Sequence, residues 1–313
     1  MILFQKIKFR AKGSTSKGLI ALSVVSIVWG TTWVVSKQAV ANMPPLQMAG
    51  IRQILGGFLF LFYFILKRYP LPQVKDIWPL IVLSILNFVM SNGLSTWGVK
   101  YISAGLAAII GTIFPLWLVI FGLIVDRTKP PKMAILGLII GFLGICVIFY
   151  EYLADFINPD FRFGIFLSLT ATFSWALGTL MTKKHAKIFN PYFGLGFQML
   201  LAGLLLSLCS WIFDTNYLPW NEITPQSWYA ILYLVIFGSI IGFGCYLYAL
   251  QHLPTTQTSI YAYINPIVAL LTGWVILHEP ITVNIMLGCL ITISGIYLVN
   301  RSFTAVPTEK IEQ

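Results

Sequence analysis

The chain has 313 residues, of which 58% are hydrophobic and only 10% are charged, and its formal net charge is +10. This composition, with a mean hydropathy of +0.84, excludes a soluble globular domain, in which about 25% of residues are charged. The positive charge alone would fit a nucleic-acid partner, but the basic residues lie in short segments between long apolar stretches. We therefore predict no nucleic-acid partner.

Ten apolar stretches follow one another along the chain, and each is close to the length of about 20 residues that a helix needs to cross a bilayer. We expect all of them to be helices, because a backbone in lipid must satisfy its own hydrogen bonds. The predicted spans are Leu19–Val40, Leu46–Leu66, Ile77–Val99, Ser103–Val125, Met133–Tyr150, Phe163–Thr182, Tyr192–Phe213, Trp228–Leu250, Thr256–Leu277 and Ile281–Asn300.

The first five spans are repeated in the last five. One group of residues recurs 146 positions later (164 − 18 = 146), namely Gly18, Trp29, Lys37, Pro45, Gly50 and Gly57. A second group recurs 151 positions later (244 − 93 = 151), namely Gly93, Pro115, Gly122, Gly137 and Gly144. Because the repeated unit has an odd number of spans, its second copy enters the membrane from the opposite side, as in many secondary transporters. The sequence predicts an all-α integral membrane protein with ten transmembrane helices, arranged as two inverted five-helix repeats.

The distribution of Lys and Arg predicts the orientation. The expected order is a basic N-terminal tail (1–18), a first repeat (19–152), a second repeat (163–301) and a C-terminal tail (302–313). Most of the 20 basic residues lie in the tails and after spans two, four and six, whereas the opposite connections hold Lys37, Lys100 and Arg162. By the positive-inside rule, we expect both termini to lie in the cytoplasm. The protein is then a multi-pass protein of the cytoplasmic (inner) membrane. The connection near His252, which lacks Lys and Arg, is the exception.

Polar and aromatic residues within the spans indicate a solute cavity, because a polar group in lipid is costly without a partner or water. Asn87, Ser91 and Ser95 form one stripe on a helix. Trp29 and Trp175 are repeat counterparts near the middle of their spans, although tryptophan prefers the membrane interface. The alternative interpretation is that the polar residues form hydrogen bonds between helices and that the tryptophans only pack in the protein interior. We predict a cavity lined by Trp29, Thr32, Arg52, Asn92, Ser95, Trp175, Thr179, Tyr246, Tyr261 and Asn265.

Arg52 is the only strongly basic residue well inside a predicted span, and its repeat counterpart is the neutral Gln198. Two interpretations are open. The side chain either extends to the outer membrane surface, as long basic side chains do near helix ends, or it faces the cavity and attracts carboxylate-bearing solutes.

Catalytic, metal and cofactor sites are not predicted. All ten Asp and Glu residues lie in connections, tails or at span ends, so a buried acid is not available as a proton relay. Coupling through Glu279 at a span end, exchange and facilitated diffusion stay open. The sequence around His278 is not the zinc motif HExxH, and the cysteines lack zinc-ligand spacing. An intramembrane enzyme is therefore the least favoured class, behind a transporter, a channel or a structural membrane subunit.

Short motifs in a fixed order carry a family resemblance. They are Trp29-Gly30, the counterparts Arg52 and Gln198, the steps Phe114-Pro115 and Asn265-Pro266, and Glu279-Pro280. In this order the chain resembles the EamA-type branch of the drug/metabolite transporter superfamily over about residues 18–300. The resemblance implies ten helices, both termini inside, a central solute cavity, and export of amino acids or similar small metabolites by alternating access. Under the repeat offset of 151, the counterpart of Glu279 is Thr128, which is not acidic. A monomer and a homodimer stay open.

Reporter fusions test the predicted topology. Because five spans separate a cytoplasmic N-terminus from Asn158 and the sixth span follows it, a reporter placed after Asn158 lies outside and one placed after Lys187 lies in the cytoplasm. We expect alkaline phosphatase to be active only at the first position and a fluorescent protein to be bright only at the second. Signals from the same side at both positions would contradict the inverted arrangement.

Overall fold

A computed structural model describes residues 12–126, 131–185, 190–214, 216–253, 258 and 261–304. Every regular element in these ranges is helical, with two short 3₁₀ helices (Asp155–Ile157 and Trp220–Glu222) and eleven longer helices. They are α1 (Lys12–Val40), α2 (Pro45–Leu66), α3 (Val74–Tyr101), α4 (Ala104–Gly111), α5 (Phe114–Asp126), α6 (Lys132–Glu151), α7 (Pro159–His185), α8 (Pro191–Phe213), α9 (Pro225–His252), α10 (Tyr261–Leu277) and α11 (Val283–Thr304).

Seven of these helices are long and apolar enough to cross a membrane, namely α1, α2, α3, α6, α7, α8 and α9. Three shorter apolar segments, Ala104–Leu118, Ile264–Leu277 and Val283–Val299, lie in the others. The prediction of an all-helical, multi-pass membrane protein is therefore confirmed at this level. The predicted tails at 1–11 and 305–313 and the predicted start of the ninth span at Thr256 lie outside the described residues.

The fourth predicted span is not one helix. It is divided into α4 and α5 by a turn at Thr112 and Ile113, immediately before Phe114 and Pro115. Pro115 is the second residue of α5, where its missing N–H is not needed for an intrahelical bond. Pro266, in contrast, lies inside α10, and the helix continues through it. The proline that interrupts a helix is thus the one in the first half of the chain.

Two of the long helices contain a π-helical segment, at Ile85–Gly93 in α3 and Leu234–Phe243 in α9. These segments overlap under the repeat offset, since residue 85 corresponds to residue 236 (85 + 151 = 236). The Asn92 Nδ2 atom donates to the carbonyl of Asn87, five residues earlier, at 3.0 Å. Because π-helical turns are rare and frequently occur at functional sites, the helix faces that these segments present are candidates for the functional site.

Glycines allow two pairs of helices to pack backbone against backbone. In the α2–α8 pair, a Cβ atom at Gly57 would lie 2.9 Å from the Gly196 carbonyl, and one at Gly203 would lie 3.0 Å from the Gly50 carbonyl. The contact partners run in opposite order along the two helices, so α2 and α8 are antiparallel. Small residues permit such close approach in membrane proteins.

The α6–α11 pair has the same construction. A Cβ atom at Gly137 would lie 2.5 Å from the Gly295 carbonyl, and one at Gly144 would lie 2.8 Å from the Gly288 carbonyl. These two helices are again antiparallel. Between the two glycine-packed pairs, α1 packs against α9 and α10, and α7 packs against α3, α4 and α5, so these central helices surround the interior of the bundle.

The bundle has two ends, called the Glu279 end and the His252 end after one residue at each. The Glu279 end carries the connections 41–44, 102–103 and 278–282, where Lys37 bonds to the Ile102 carbonyl. The His252 end lies opposite, where Gly18 contacts Leu253.

Substitution of a packed glycine tests the antiparallel contact. A Cβ atom at Gly57 would lie 2.5 Å from the Leu200 backbone nitrogen, so Gly57→Ala forces the helices apart. We expect a loss of about 1–3 kcal/mol in the free energy of unfolding, as for other overpacked sites, seen as a lower midpoint of thermal unfolding in detergent. Gly244→Ala is the matched control, because its Cβ atom meets nothing within 4 Å. Equal midpoints for both variants would contradict the packing described.

Candidate functional site

A cavity of about 130 Å³ lies between the central helices. It is bordered by α1, α2, α3, α4, α5, α7, α9 and α10, and no described residue of α6 or α11 reaches it. Its residues on α1 and α3 lie in the halves of these helices that are nearer the Glu279 end. Eight of the ten predicted residues border the cavity, namely Trp29, Thr32, Arg52, Asn92, Ser95, Trp175, Tyr261 and Asn265.

Thr179 and Tyr246 do not border the cavity, although the sequence placed them there. Their hydroxyls pair with each other at 3.2 Å, and both side chains are buried. Tyr246 instead borders a second, smaller pocket. Thr179 lies four residues beyond Trp175, so it is on nearly the same face of α7 but about 6 Å further along the helix, beyond the end of the cavity.

The sequence also missed several polar cavity residues. These are small hydroxyl side chains on three helices, namely Ser36, Ser91, Thr96, Ser168 and Thr172. Ser91 belongs to the polar stripe on α3, so the signal for it was present. The others resemble ordinary helix residues, since Thr172 bonds back to the Ser168 carbonyl at 2.9 Å in its own helix.

Five aromatic residues pack together at the base of the cavity, and all of them except Tyr246 border it. They are called the aromatic cluster: Trp29, Trp175, Phe243, Tyr246 and Tyr261. The two tryptophan rings meet edge to face with centroids 5.8 Å apart. Each indole N–H is satisfied, because the Trp29 Nε1 atom donates to the Gly238 carbonyl at 3.1 Å and the Trp175 Nε1 atom donates to the Tyr261 hydroxyl at 2.8 Å. These hydrogen bonds explain how tryptophans are tolerated away from the interface.

The second pocket, of about 30 Å³, lies on the other side of the aromatic cluster. Trp175 and Phe243 border both spaces, so the cluster separates them. In this pocket the Asn87 Nδ2 atom donates to the Thr182 hydroxyl at 3.2 Å and to the Gln198 side-chain oxygen at 3.3 Å.

Arg52 is only 6% exposed and borders the cavity. Extension of its side chain to the membrane surface is therefore excluded. The Nε atom donates to the Ser239 hydroxyl at 3.1 Å. Gly238 lies so close that a Cβ atom there would stand 2.8 Å from the Arg52 Nη2 atom. Among the residues described, neither Asp nor Glu borders the cavity, and the buried Asn265 Oδ1 atom has no hydrogen-bond partner.

Glu279 fixes the start of α4 at the Glu279 end. Its Oε1 atom accepts from the Ala104 N–H at 2.7 Å and its Oε2 atom accepts from the Gly105 N–H at 3.0 Å. A carboxylate at this place satisfies two unpaired N–H groups and complements the helix dipole. Nearby, the Lys37 Nζ atom donates to the carbonyls that end α3, at Lys100 (3.2 Å) and Ile102 (2.8 Å). The sequence did not predict this capping role.

The family model and the individual proteins that match this chain agree with each other. The model of the EamA-like transporter family matches residues 16–150 and 162–301. The chain is 28% identical over 288 residues to the uncharacterized transporter YvbV of Bacillus subtilis (strain 168), covering 91% of this chain and 92% of that protein. It is 29% identical over 254 residues to the uncharacterized inner membrane transporter YedA of Escherichia coli (strain K12), covering 81% and 80%.

A solved structure, titled only as the crystal structure of a protein, has a similar fold. The TM-score is 0.65, and the match covers 92% of this chain and 97% of that chain at 16% sequence identity.

Glu279→Gln tests the cap of α4. The amide keeps one acceptor oxygen and loses the other, so one of the two backbone N–H groups is left unpaired. We expect the free energy of unfolding to fall by about 1–2 kcal/mol, measured by thermal unfolding in detergent. Glu222→Gln is the matched control, because Glu222 lies exposed in a short 3₁₀ turn. A drop of the same size in the control would show that the loss of charge, not the cap, is responsible.

Proposed function

The chain belongs to the EamA-like transporter family, and from this membership we propose that it is a secondary transporter that moves a small solute across the cytoplasmic membrane by alternating access. Its relatives carry the name transporter, and one of them is named as an inner membrane protein. The protein is thus a multi-pass membrane transporter. Family membership does not specify the mechanism, the inverted ten-span arrangement or the solute, and these three are our proposals.

Glycine contacts support the inverted repeat. Gly50 and Gly57 have the counterparts Gly196 and Gly203 at an offset of 146 (196 − 50 = 146). Exchanging each residue for its counterpart turns the contact Gly50–Gly203 into the contact Gly196–Gly57, which is also present. Such reciprocal contacts are expected across a two-fold axis. Because α2 and its counterpart α8 are antiparallel, that axis would lie in the membrane plane.

The observation that carries the proposal is the relation between the two internal spaces. Cavity residues Trp29, Ser36 and Arg52 correspond under the offset of 146 to Trp175, Thr182 and Gln198, which border the second pocket (29 + 146 = 175). Asn92 and Ser95 correspond under the offset of 151 to Phe243 and Tyr246, which border it as well (92 + 151 = 243). The pocket therefore occupies the place that the cavity would take if the two halves exchanged conformations.

This relation supports alternating access over a channel. A channel needs one continuous path, whereas the aromatic cluster stands between the cavity and the pocket. We propose that the structure is open toward the Glu279 end and that the opposite state closes the cavity and widens the pocket. With both termini in the cytoplasm, as the basic residues predict, the Glu279 end faces outward.

The proposed solutes are amino acids or similar small metabolites, moved outward, as the resemblance implies. The cavity volume of about 130 Å³ is suited to a small molecule. Aromatic faces, hydroxyls and the amides of Asn92 and Asn265 offer both apolar contact and hydrogen bonds, which is the usual chemistry of a small-molecule site.

Efflux measurements test this proposal. Cells that express the protein should accumulate one or more amino acids in the medium relative to cells that lack it, as measured by mass spectrometry. Proteoliposomes loaded with that amino acid should show saturable counterflow. Trp29→Ala, which opens the floor of the cavity, should abolish counterflow, whereas Trp274→Ala, at a side chain 56% exposed on the outside of the bundle, should preserve it. Unsaturable flux or single-channel currents would instead indicate a channel.

A further inference from the structure

Arg52 places a positive charge in the cavity without a counter-charge. The Nε atom bonds to the neutral Ser239, and the two Nη atoms have no hydrogen-bond partner in the described part of the chain. Arginine stays protonated in proteins, so the side chain cannot become neutral when its surroundings change. Because Arg52 borders the cavity, water that enters an open cavity would hydrate the free edge of the guanidinium and stabilise its charge.

Closing the cavity removes that water. An isolated charge that loses its hydration without gaining a partner is strongly disfavoured, and a carboxylate is the partner that matches the guanidinium fork with two parallel hydrogen bonds. Asn265 also borders the cavity, and its buried Oδ1 atom has no hydrogen-bond partner among the described residues, so a small rotation of this side chain would offer an acceptor to a donor group of the same ligand.

We propose that Arg52 binds an anionic solute through its carboxylate and that the cavity closes only when this anion is bound. The inference rests on the proposed alternating access and adds the solute class and the rule that governs the transition. The empty transporter then rests open toward the Glu279 end, and outward transport continues only when a carboxylate from that side allows the cavity to close again.

Comparison with Gln198, the repeat counterpart of Arg52, supports a role for the positive charge of Arg52. Gln198 is neutral and its side-chain oxygen already accepts a hydrogen bond from Asn87, so the second pocket has closed without an unpaired charge. The two states therefore differ in what closing requires. Closing the space around Gln198 needs no ligand, whereas closing the space around Arg52 needs an anion.

Cysteine accessibility measures which state the empty protein occupies. Ser95→Cys reports on the cavity and Thr182→Cys on the second pocket, each in a background whose four natural cysteines are replaced by alanine. Protein in nanodiscs, in a buffer free of chloride and small carboxylates, is labelled with N-ethylmaleimide. With Arg52 present, we expect fast labelling at position 95 and slow labelling at position 182.

Removing or neutralising the charge should reverse this preference. Arg52→Gln installs the residue found at the counterpart position, and Ser239→Asp supplies an internal carboxylate beside an intact Arg52. Both should raise labelling at 182 relative to 95 by a factor on the order of 100, the equivalent of the ~2.5–3.5 kcal/mol cost of an arginine at the bilayer centre at about 1.4 kcal/mol per tenfold. Arg52→Lys and Ser239→Asn are the matched controls and should keep the original ratio.

Acetate, the smallest useful carboxylate probe, tests the ligand class. It should raise labelling at 182 in the protein with Arg52, whereas acetamide, of similar size and neutral, should not, and Arg52→Gln should not respond. An unchanged ratio in both Arg52→Gln and Ser239→Asp, no effect of acetate, or an equal effect of acetamide would overturn the inference. If labelling at the two positions never changes reciprocally in any variant, alternating access itself is wrong. If Arg52→Gln fails to fold, Ser239→Asp decides.

Discussion

The edge-to-face contact between Trp29 and Trp175 divides the interior of this protein, and the other features of the site depend on it. The rings come from repeat counterparts in α1 and α7, and both indole N–H groups are satisfied, so the contact holds without water. A Cβ atom at Gly242 would collide with the Trp29 ring, which makes this glycine necessary for the approach of α9. With the other residues of the aromatic cluster, this contact lies between the cavity and the second pocket, and Arg52 borders only the cavity.

The bundle combines rigid and adaptable parts. In the glycine-packed pairs α2–α8 and α6–α11, backbone lies against backbone, and such contacts leave no room for a change of register. The central helices are built differently. Helices α3 and α9 contain π-helical segments, and α4 is separated from α5 by a turn at the level of the cavity. Irregular backbone of this kind is tolerated in a membrane only where it is buried in protein or lines a cavity. A change between states is therefore expected in the central helices around two fixed pairs.

The sequence predicted the helical class, and eight of the ten residues that it proposed for the cavity border it, because polar groups within apolar spans are few and the repeat offset aligns them. It could not predict the rest for physical reasons. The π-helical turns shift the helix faces after residue 85, and no composition signal marks them. Thr179 and Tyr246 lie beyond the cavity, because spacing along a helix gives the face that a residue occupies but not the depth at which a cavity ends. The capping of α4 by Glu279 joins residues 175 positions apart in the chain, and spacing along one helix carries no information about such a contact.

Comparison of Arg52 with its repeat counterpart Gln198 distinguishes the hydrogen bond that joins the helices from the positive charge that only Arg52 brings. Both side chains start from equivalent places in a glycine-packed helix pair, and each bonds to a neighbouring central helix, Arg52 to Ser239 of α9 and Gln198 to Asn87 of α3. A neutral amide is therefore sufficient to join the helices at this position. The positive charge is an addition, and it is placed where only a small solute or water can reach it. Because an unneeded buried charge would be costly, its presence in one half alone supports the proposal that the two halves, although built alike, treat an anionic solute differently.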